Sequence, residues 1–437
     1  MGAKRVLSMA GVVALTGALL LTSAPVASAD YIRDRQWMLD QFSAKEVWAQ
    51  SQGQGVTVAV VDTGVDGSHP DLTGQVLEGK DFTGNGNAQE DVYGHGTSMA
   101  SIIAGHGHGE GDASGVMGLA PKAKILPLRY GATRDDDFPE ERWAAAVKYA
   151  VDHGATVVNM SLSNTFGFTG HEGKEALAYA QAHDVIVVAG AGNDGLSVDD
   201  PAALPGVVAV SAIDKDGEFW SGSNAGKEVV LSAPGVDVVG ADPTKANGYA
   251  NGTGTSASTA YVSAAAALVR SKFPDLTAGQ VINRLIKSAT LLDHKVGNVP
   301  DEEYGYGMIR PYSALTMDIP KGPKQGPLGK ISLPAPPPSS GEGQDSGSPA
   351  KKIFSSGSII VIASIAAVVV VVGIVFALVR SRRNRSDGGG ASPGGVDYPN
   401  QPPYPSGQQP YHTAAPGQSP HNPSGNPYGQ QPPYQEQ

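Results

Sequence analysis

The 437-residue chain contains no cysteine. No disulfide can staple it, although an exported protein is free to use such bonds, so its fold must rely on burial. A basic excess is missing too: 31 Lys and Arg against 42 Asp and Glu give a formal net charge of −11. That balance argues against nucleic acid as a partner. Large apolar residues are scarce in two stretches. GPKQGPLGKISLPAPPPSSGEGQDSGSPAKK (322–352) is mainly Pro, Gly and Ser and reads as a linker. Beyond Arg385 the chain runs on Gly, Pro, Gln, Asn and Tyr, which cannot bury enough apolar surface to order itself. Its Pro-Tyr and Pro-Pro-Tyr steps are either a docking ligand or unstructured ballast.

What is present divides the chain clearly. Residues 1–29 combine a basic start, an apolar run and a small-residue site ending Ala27-Ser28-Ala29, the pattern of a secretory signal peptide cleaved after Ala29. SIIVIASIAAVVVVVGIVFALV (358–379) carries no charge over 22 residues, long enough to span a bilayer as a helix. Arg380, Arg382, Arg383 and Arg385 follow it, against Lys351 and Lys352 before it. The positive-inside bias therefore predicts a single-pass protein of the cell membrane with a cytoplasmic tail (380–437) and everything before residue 358 outside. Between these segments lie an N-terminal extension (30–54), a domain (55–317) large enough to bury a sizeable core, and the linker (318–357).

Within the domain, Val- and Ile-rich runs alternate with amphipathic ones. VTVAVVD (56–62), AKILPLR (123–129), ATVVNMS (155–161) and DVIVVAG (184–190) read as strands buried on both faces. ERWAAAVKYAVDHG places Trp143, Val147, Ala150 and Val151 on one helical face, with Gly154 as the C-terminal cap. Thr277 and Gln280 form a T-x-x-Q capping box ahead of another helix. The alternation predicts an α/β fold of three layers, a mainly parallel central sheet with helices on both faces.

Three stretches carry candidate chemistry. VAVVDTGVDGSHPDL (58–72) ends an apolar strand on Asp62. EDVYGHGTSMASIIAG (90–105) sets His95 between glycines where a helix begins. NGTGTSASTAYVSAAAALV (251–269) puts Ser256 between a glycine-rich turn and an alanine-rich helix that must be buried. A serine oxygen needs a base to take its proton, histidine has a suitable pKa, and a carboxylate orients the imidazole. Taken singly, each residue also has an ordinary reading: Asp62 as a turn residue, His95 as a helix start, Ser256 as a helix cap. Those readings leave the shared glycine and hydroxyl context of all three unexplained.

DTGVD with HPDL, HGTSMASIIAG and GTSAS, in this order, resemble the Asp, His and Ser motifs of the subtilisin-like serine proteases over about residues 40 to 315. An α/β-hydrolase would run Ser, Asp, His and carry G-x-S-x-G, which disfavours an esterase. The resemblance implies a peptidase with Asp62, His95 and Ser256 as catalytic residues working through an acyl-enzyme. VVAGAGNDG (187–195) matches the family segment whose asparagine amide joins a backbone N–H in the oxyanion hole, which implies Asn193 and Ser256. ATVVNMSLSN implies substrate binding by Ser161, Leu162 and Ser163. Ala257 and Ala260 replace the family's usual methionine and proline. AYVS (260–263) and the order signal peptide, protease, linker, membrane helix are similar to the mycosins, which are associated with type VII secretion, although mycosin disulfides cannot form here.

The extension, at 25 residues, is too short for an independently folding pro-domain and is expected to pack on the domain. No metal or other cofactor is expected. GHGHGEGD contains His106, His108 and Asp112 as potential ligands, but zinc would need further ligands at its usual spacing. Calcium is common in the family, but no segment spells out a site. The expected partners are a polypeptide substrate, the membrane and type VII secretion machinery. The competing reading is a scaffold that uses the same fold to brace a secretion complex.

Overall fold

The computed structural model describes residues 27–333 except 85, 132–138, 163–167 and 293. The expected membrane segment, the tail and most of the signal peptide lie outside these residues. Among the described residues no helix is long and apolar enough to cross a membrane.

Three short helices come first, α1 (Ala27–Asp34), α2 (Trp37–Gln41) and α3 (Ala44–Gln50). Strand β1 (Thr57–Asp62) and the two-residue β2 (Lys80–Asp81) lead to α4 (His95–Ala104). A hairpin, β3 (His106–His108) and β4 (Ser114–Met117), precedes β5 (Lys124–Arg129). Then α5 (Glu140–Asp152), β6 (Val157–Met160), α6 (His171–Ala182), β7 (Ile186–Gly190), β8 (Val208–Ile213) and β9 (Val229–Pro234) complete the alternation. A second hairpin, β10 (Val238–Ala241) and β11 (Tyr249–Gly252), feeds α7 (Thr255–Lys272), followed by α8 (Ala278–Ser288) and α9 (Pro311–Thr316).

The central sheet has the order β2-β5-β1-β6-β7-β8-β9, and every pairing in it is parallel. The strand runs read from the sequence agree with it to within two residues, the usual scatter of element ends. All of β7, β8 and β9 is buried. Because successive side chains point to opposite faces, both faces must be covered. Helices α4 and α7 pack together against the sheet, as do α5 and α6. The capping box at α8 forms, with Thr277 Oγ1 accepting from Gln280 N and Gln280 Oε1 accepting from Thr277 N. Gly154 takes φ +78° just past α5, as its capping role requires.

Helix α7 runs through the core, where it packs against β6, β7, β8 and β9. Ala264 to Ala267 are fully buried, so small side chains let its backbone lie close to the strands. The extension docks as expected: Met38, Phe42 and Val47 join the main core. Trp48 Nε1 donates to Leu119 O at 3.0 Å, and the Gln36 amide makes two bonds to the Met117 backbone.

One boundary moves. Residues 318–333, counted with the linker, run along the domain instead. Thr277 Oγ1 donates to Lys324 O, Gln280 Nε2 to Gly322 O and Gly206 N to Leu328 O, while Leu328 and Ile331 pack on the core. Side chains and amides of α6, α8 and the loop before β8 supply the partners that a Pro- and Gly-rich strap cannot supply for itself.

Candidate active site

The chemistry-bearing residues gather beyond the C-terminal ends of β1, β6 and β7, where ligands bind in parallel α/β sheets. Asp62 is the last residue of β1 and almost wholly buried. Its Oδ1 accepts from Thr63 N at 2.8 Å and lies 2.7 Å from His95 Nδ1. That contact fixes the proton on Nδ1 and leaves Nε2 as the basic nitrogen. His95 is the first residue of α4, with its side chain about one-third exposed.

Glycines make this contact possible. Gly94 takes φ +88°, turning the chain into α4. A Cβ at Gly96 would come within 2.0 Å of Gly64 O and 3.1 Å of Asp62 Cβ. Helix α4 and the end of β1 therefore meet at backbone distance.

A second carboxylate, Asp91, holds the start of α4. Its Oδ1 accepts from Gly94 N (2.8 Å), Tyr93 N (3.1 Å) and Thr63 Oγ1 (2.9 Å). Its Oδ2 accepts from Thr97 N (2.9 Å) and Thr97 Oγ1 (2.7 Å). Thr63 Oγ1 in turn accepts from Gly96 N at 3.0 Å.

Ser256 is the one residue from Gly254 to Arg270 that is not buried. The reading of Ser256 as the cap of its helix needs correction. It is the second residue of α7, and Gly254 occupies the cap position without a side chain to offer. Asn193 supplies the missing acceptor from the loop after β7: its Oδ1 accepts from Thr255 N at 2.8 Å. With the oxygen so engaged, the Nδ2 donor is the end left to face the cleft. The Ser256 amide, in the first turn, has no acceptor within the helix and sits at its positive pole.

On the opposite side Ser161, just past β6, accepts Asn159 Nδ2 on its Oγ and donates to Ser256 O at 3.0 Å. Asn159 Oδ1 accepts from Ser263 Oγ. This buried relay ties the end of β6 to α7 at two points, Ser256 O and Ser263 Oγ. Ser256 Oγ itself lies 3.5 Å from Ser161 O, at the long limit of a hydrogen bond.

Asp62, His95, Ser161, Leu162, Asn193 and Ser256 line one cleft of about 550 Å³. Ser163 lies outside the described residues. Tyr130, also in its wall, is pushed above the usual phenol range by burial and then by the Asp62 charge. The histidines of the GHGHGEGD stretch are engaged elsewhere: His108 Nδ1 lies 2.6 Å from Asp71 Oδ1 and His106 Nε2 lies 3.0 Å from Thr73 O. Among the described residues no three His, Cys, Asp or Glu converge as a metal site would need.

Sequence reasoning passed over Asp91, Thr63 and Asn159. The available signal was an acidic residue close before a helix whose own cap is glycine.

A carboxylate-bound imidazole and a serine at the head of a buried helix, in one cleft at the ends of a parallel sheet, are the parts of a serine hydrolase site. Residues 53–307 match the subtilase family, peptidase S8, and the chain belongs to that family. Thermitase from Thermoactinomyces vulgaris is 35% identical over 55% of this chain and 84% of its own length. Mycosin-1 from Mycolicibacterium smegmatis is 33% identical over 69% and 77%. The structure of MycP1 from the ESX-1 type VII secretion system superposes with a TM-score of 0.58 at 31% identity, covering 67% of this chain and 88% of that one. The protein is a subtilisin-like serine endopeptidase.

Proposed function

We propose that the chain is a membrane-anchored, extracytoplasmic endopeptidase that acts on exported proteins of a type VII secretion system. Ser256 Oγ attacks the peptide carbonyl while His95 Nε2 takes its proton. Asp62 holds the imidazole in the correct tautomer and stabilises the cation that forms. The carbonyl oxygen becomes an oxyanion, met by the Asn193 Nδ2 and Ser256 N donors. His95 then returns its proton to the leaving amine, and water repeats the sequence to release the acyl group. An extended substrate pairs its backbone with the segment Ser161-Leu162-Ser163, so main-chain hydrogen bonds give affinity and pockets give selectivity.

The observation that carries this reading is the 2.7 Å contact between His95 and the buried Asp62 in the same cleft as the only unburied residue at the head of α7. The secretion context rests on the likeness to mycosin-1 and MycP1. The anchor rests on the apolar run at 358–379 followed by arginines. Comparing peptides cleaved from exported proteins in cells carrying wild type or Ser256→Ala tests the whole. Loss of a defined set of cleavages is expected. A stable Ser256→Ala protein that restores every process lost on deletion would establish the scaffold role instead.

A further inference from the structure

We infer that Asp91 is a positioning residue for the reaction: through Thr63 it clamps the start of α4 to the end of β1 and so sets the His95–Asp62 distance. The inference rests on the roles proposed for His95 and Asp62, and reaches past them to the group that holds them together.

Asp91 is 7% exposed and accepts five hydrogen bonds. Three come from amides on either side of His95, those of Tyr93, Gly94 and Thr97. The first turn of a helix needs acceptors, and a charged acceptor there also complements the helix dipole, so a cap alone would explain these three. It does not explain Thr63. That side chain lies next to Asp62 on the other element, donates to Asp91 at 2.9 Å and accepts from Gly96 N at 3.0 Å. The residue after Asp62 and the residue after His95 are thus joined through one hydroxyl, which the Asp91 carboxylate orients. Thr97 extends the clamp, its Oγ1 accepting from Asp66 N in the turn after β1.

The arrangement demands a carboxylate. Oδ1 faces the amides of Tyr93 and Gly94, and Oδ2 faces the amide of Thr97. An asparagine in either orientation would turn an N–H donor toward N–H donors. Catalysis depends steeply on such geometry, and a displacement near 1 Å costs on the order of 100-fold.

The test compares Asp91→Asn and Thr63→Val with wild type in the full chain. It measures turnover of a peptide substrate per active site, KM, and the pH profile of kcat/KM. Thr63→Val is nearly isosteric; it breaks the bridge between the two elements, including the bond from Gly96 N, but leaves the three amide bonds to Asp91 intact. Both variants are expected to lower kcat, Asp91→Asn by on the order of 100-fold, with KM within about threefold of wild type. The acid limb of the profile, which reports the essential base, should move to lower pH because imidazolium loses support. The ionisable groups around His95 are Asp62, Asp91, Tyr93, Tyr130 and the Asp242–Lys245 pair, and of these only Asp91 is altered in charge, in Asp91→Asn.

Wild-type kcat and an unmoved acid limb in folded Thr63→Val would overturn the inference, whether or not Asp91→Asn folds. So would an activity loss in Asp91→Asn that vanishes once rates are divided by the folded fraction. His95→Ala, run alongside, separates the two levels. If it abolishes turnover while the clamp variants do not, only the positioning role fails. If it retains turnover, the catalytic reading fails as well.

Discussion

The first turns of α4 and α7 face the same cleft and are finished in opposite ways. At α4 the amides of Tyr93, Gly94 and Thr97 end on the Asp91 carboxylate, and that of Gly96 ends on Thr63. At α7 a neutral amide oxygen, Asn193 Oδ1, takes Thr255 N, and the next amide belongs to Ser256. The two residues so presented need different surroundings. In the proposed mechanism His95 carries a proton for part of the cycle, and a saturated, negatively charged helix start favours the cation. In the same mechanism Ser256 sits beside an oxyanion, and a helix start whose positive pole remains in use favours the anion. Helix ends therefore supply the two signs of charge that acyl transfer requires.

The largest expected effect comes from removing the proposed nucleophile. Ser256→Ala should lower kcat by on the order of a millionfold, a magnitude known for a subtilisin serine rather than derived from this geometry. Asn193→Ala opens the α7 end in two ways, since Nδ2 leaves the proposed oxyanion site and Oδ1 leaves Thr255 N. Turnover should fall about 100- to 1000-fold, again a family magnitude, with KM little changed. If Asn193→Asp, which keeps the acceptor but replaces the donor, were as active as wild type, Asn193 would be only a cap.

Smaller effects sharpen the contrast further back along α7. Ser161→Ala removes the donor to Ser256 O and the acceptor for the buried Asn159 amide, so it should cost about 1–3 kcal/mol of stability, read by denaturant unfolding. Tyr261 is fully buried, and its hydroxyl has no hydrogen-bond partner among the described residues. Tyr261→Phe keeps the edge contact to Phe42 at 5.4 Å and should be neutral or stabilising by about 1 kcal/mol. Burial raises the Tyr261 and Tyr130 phenols well above their usual range, the latter with help from Asp62. A folded pKa above the unfolded one gives stability that is complete below pH ~10 and is lost as pH rises further. Tyr261→Phe should therefore flatten the alkaline fall in unfolding midpoint; an unchanged slope would show that the buried phenol is not its source.

How much of this was legible beforehand follows the range of each interaction. The strands were legible because burial on both faces leaves unbroken Val and Ile runs. The α8 capping box was legible because its partners are three residues apart. Asp62, His95 and Ser256 stood out through their glycine and hydroxyl neighbours; those beside His95 and Asp62 are explained by the 2.0 Å that a Cβ on Gly96 would leave to Gly64 O. The cap of α7 was not legible, since its acceptor comes from Asn193, 62 residues away. Asp91 lies in plain view before the helix, but its meaning depends on Thr63, 28 residues earlier. The strap at 318–333 reads as linker from composition because its hydrogen-bond partners belong to α6, α8 and the loop before β8.

The most direct measurement is the site and rate of labelling by a fluorophosphonate, followed by intact mass and peptide mapping in wild type and His95→Ala. One phosphonyl group on Ser256 is expected, added at least a thousandfold more slowly without the imidazole. A label on another residue, or an equal rate in His95→Ala, would contradict the assignment of Ser256 as a nucleophile activated by His95.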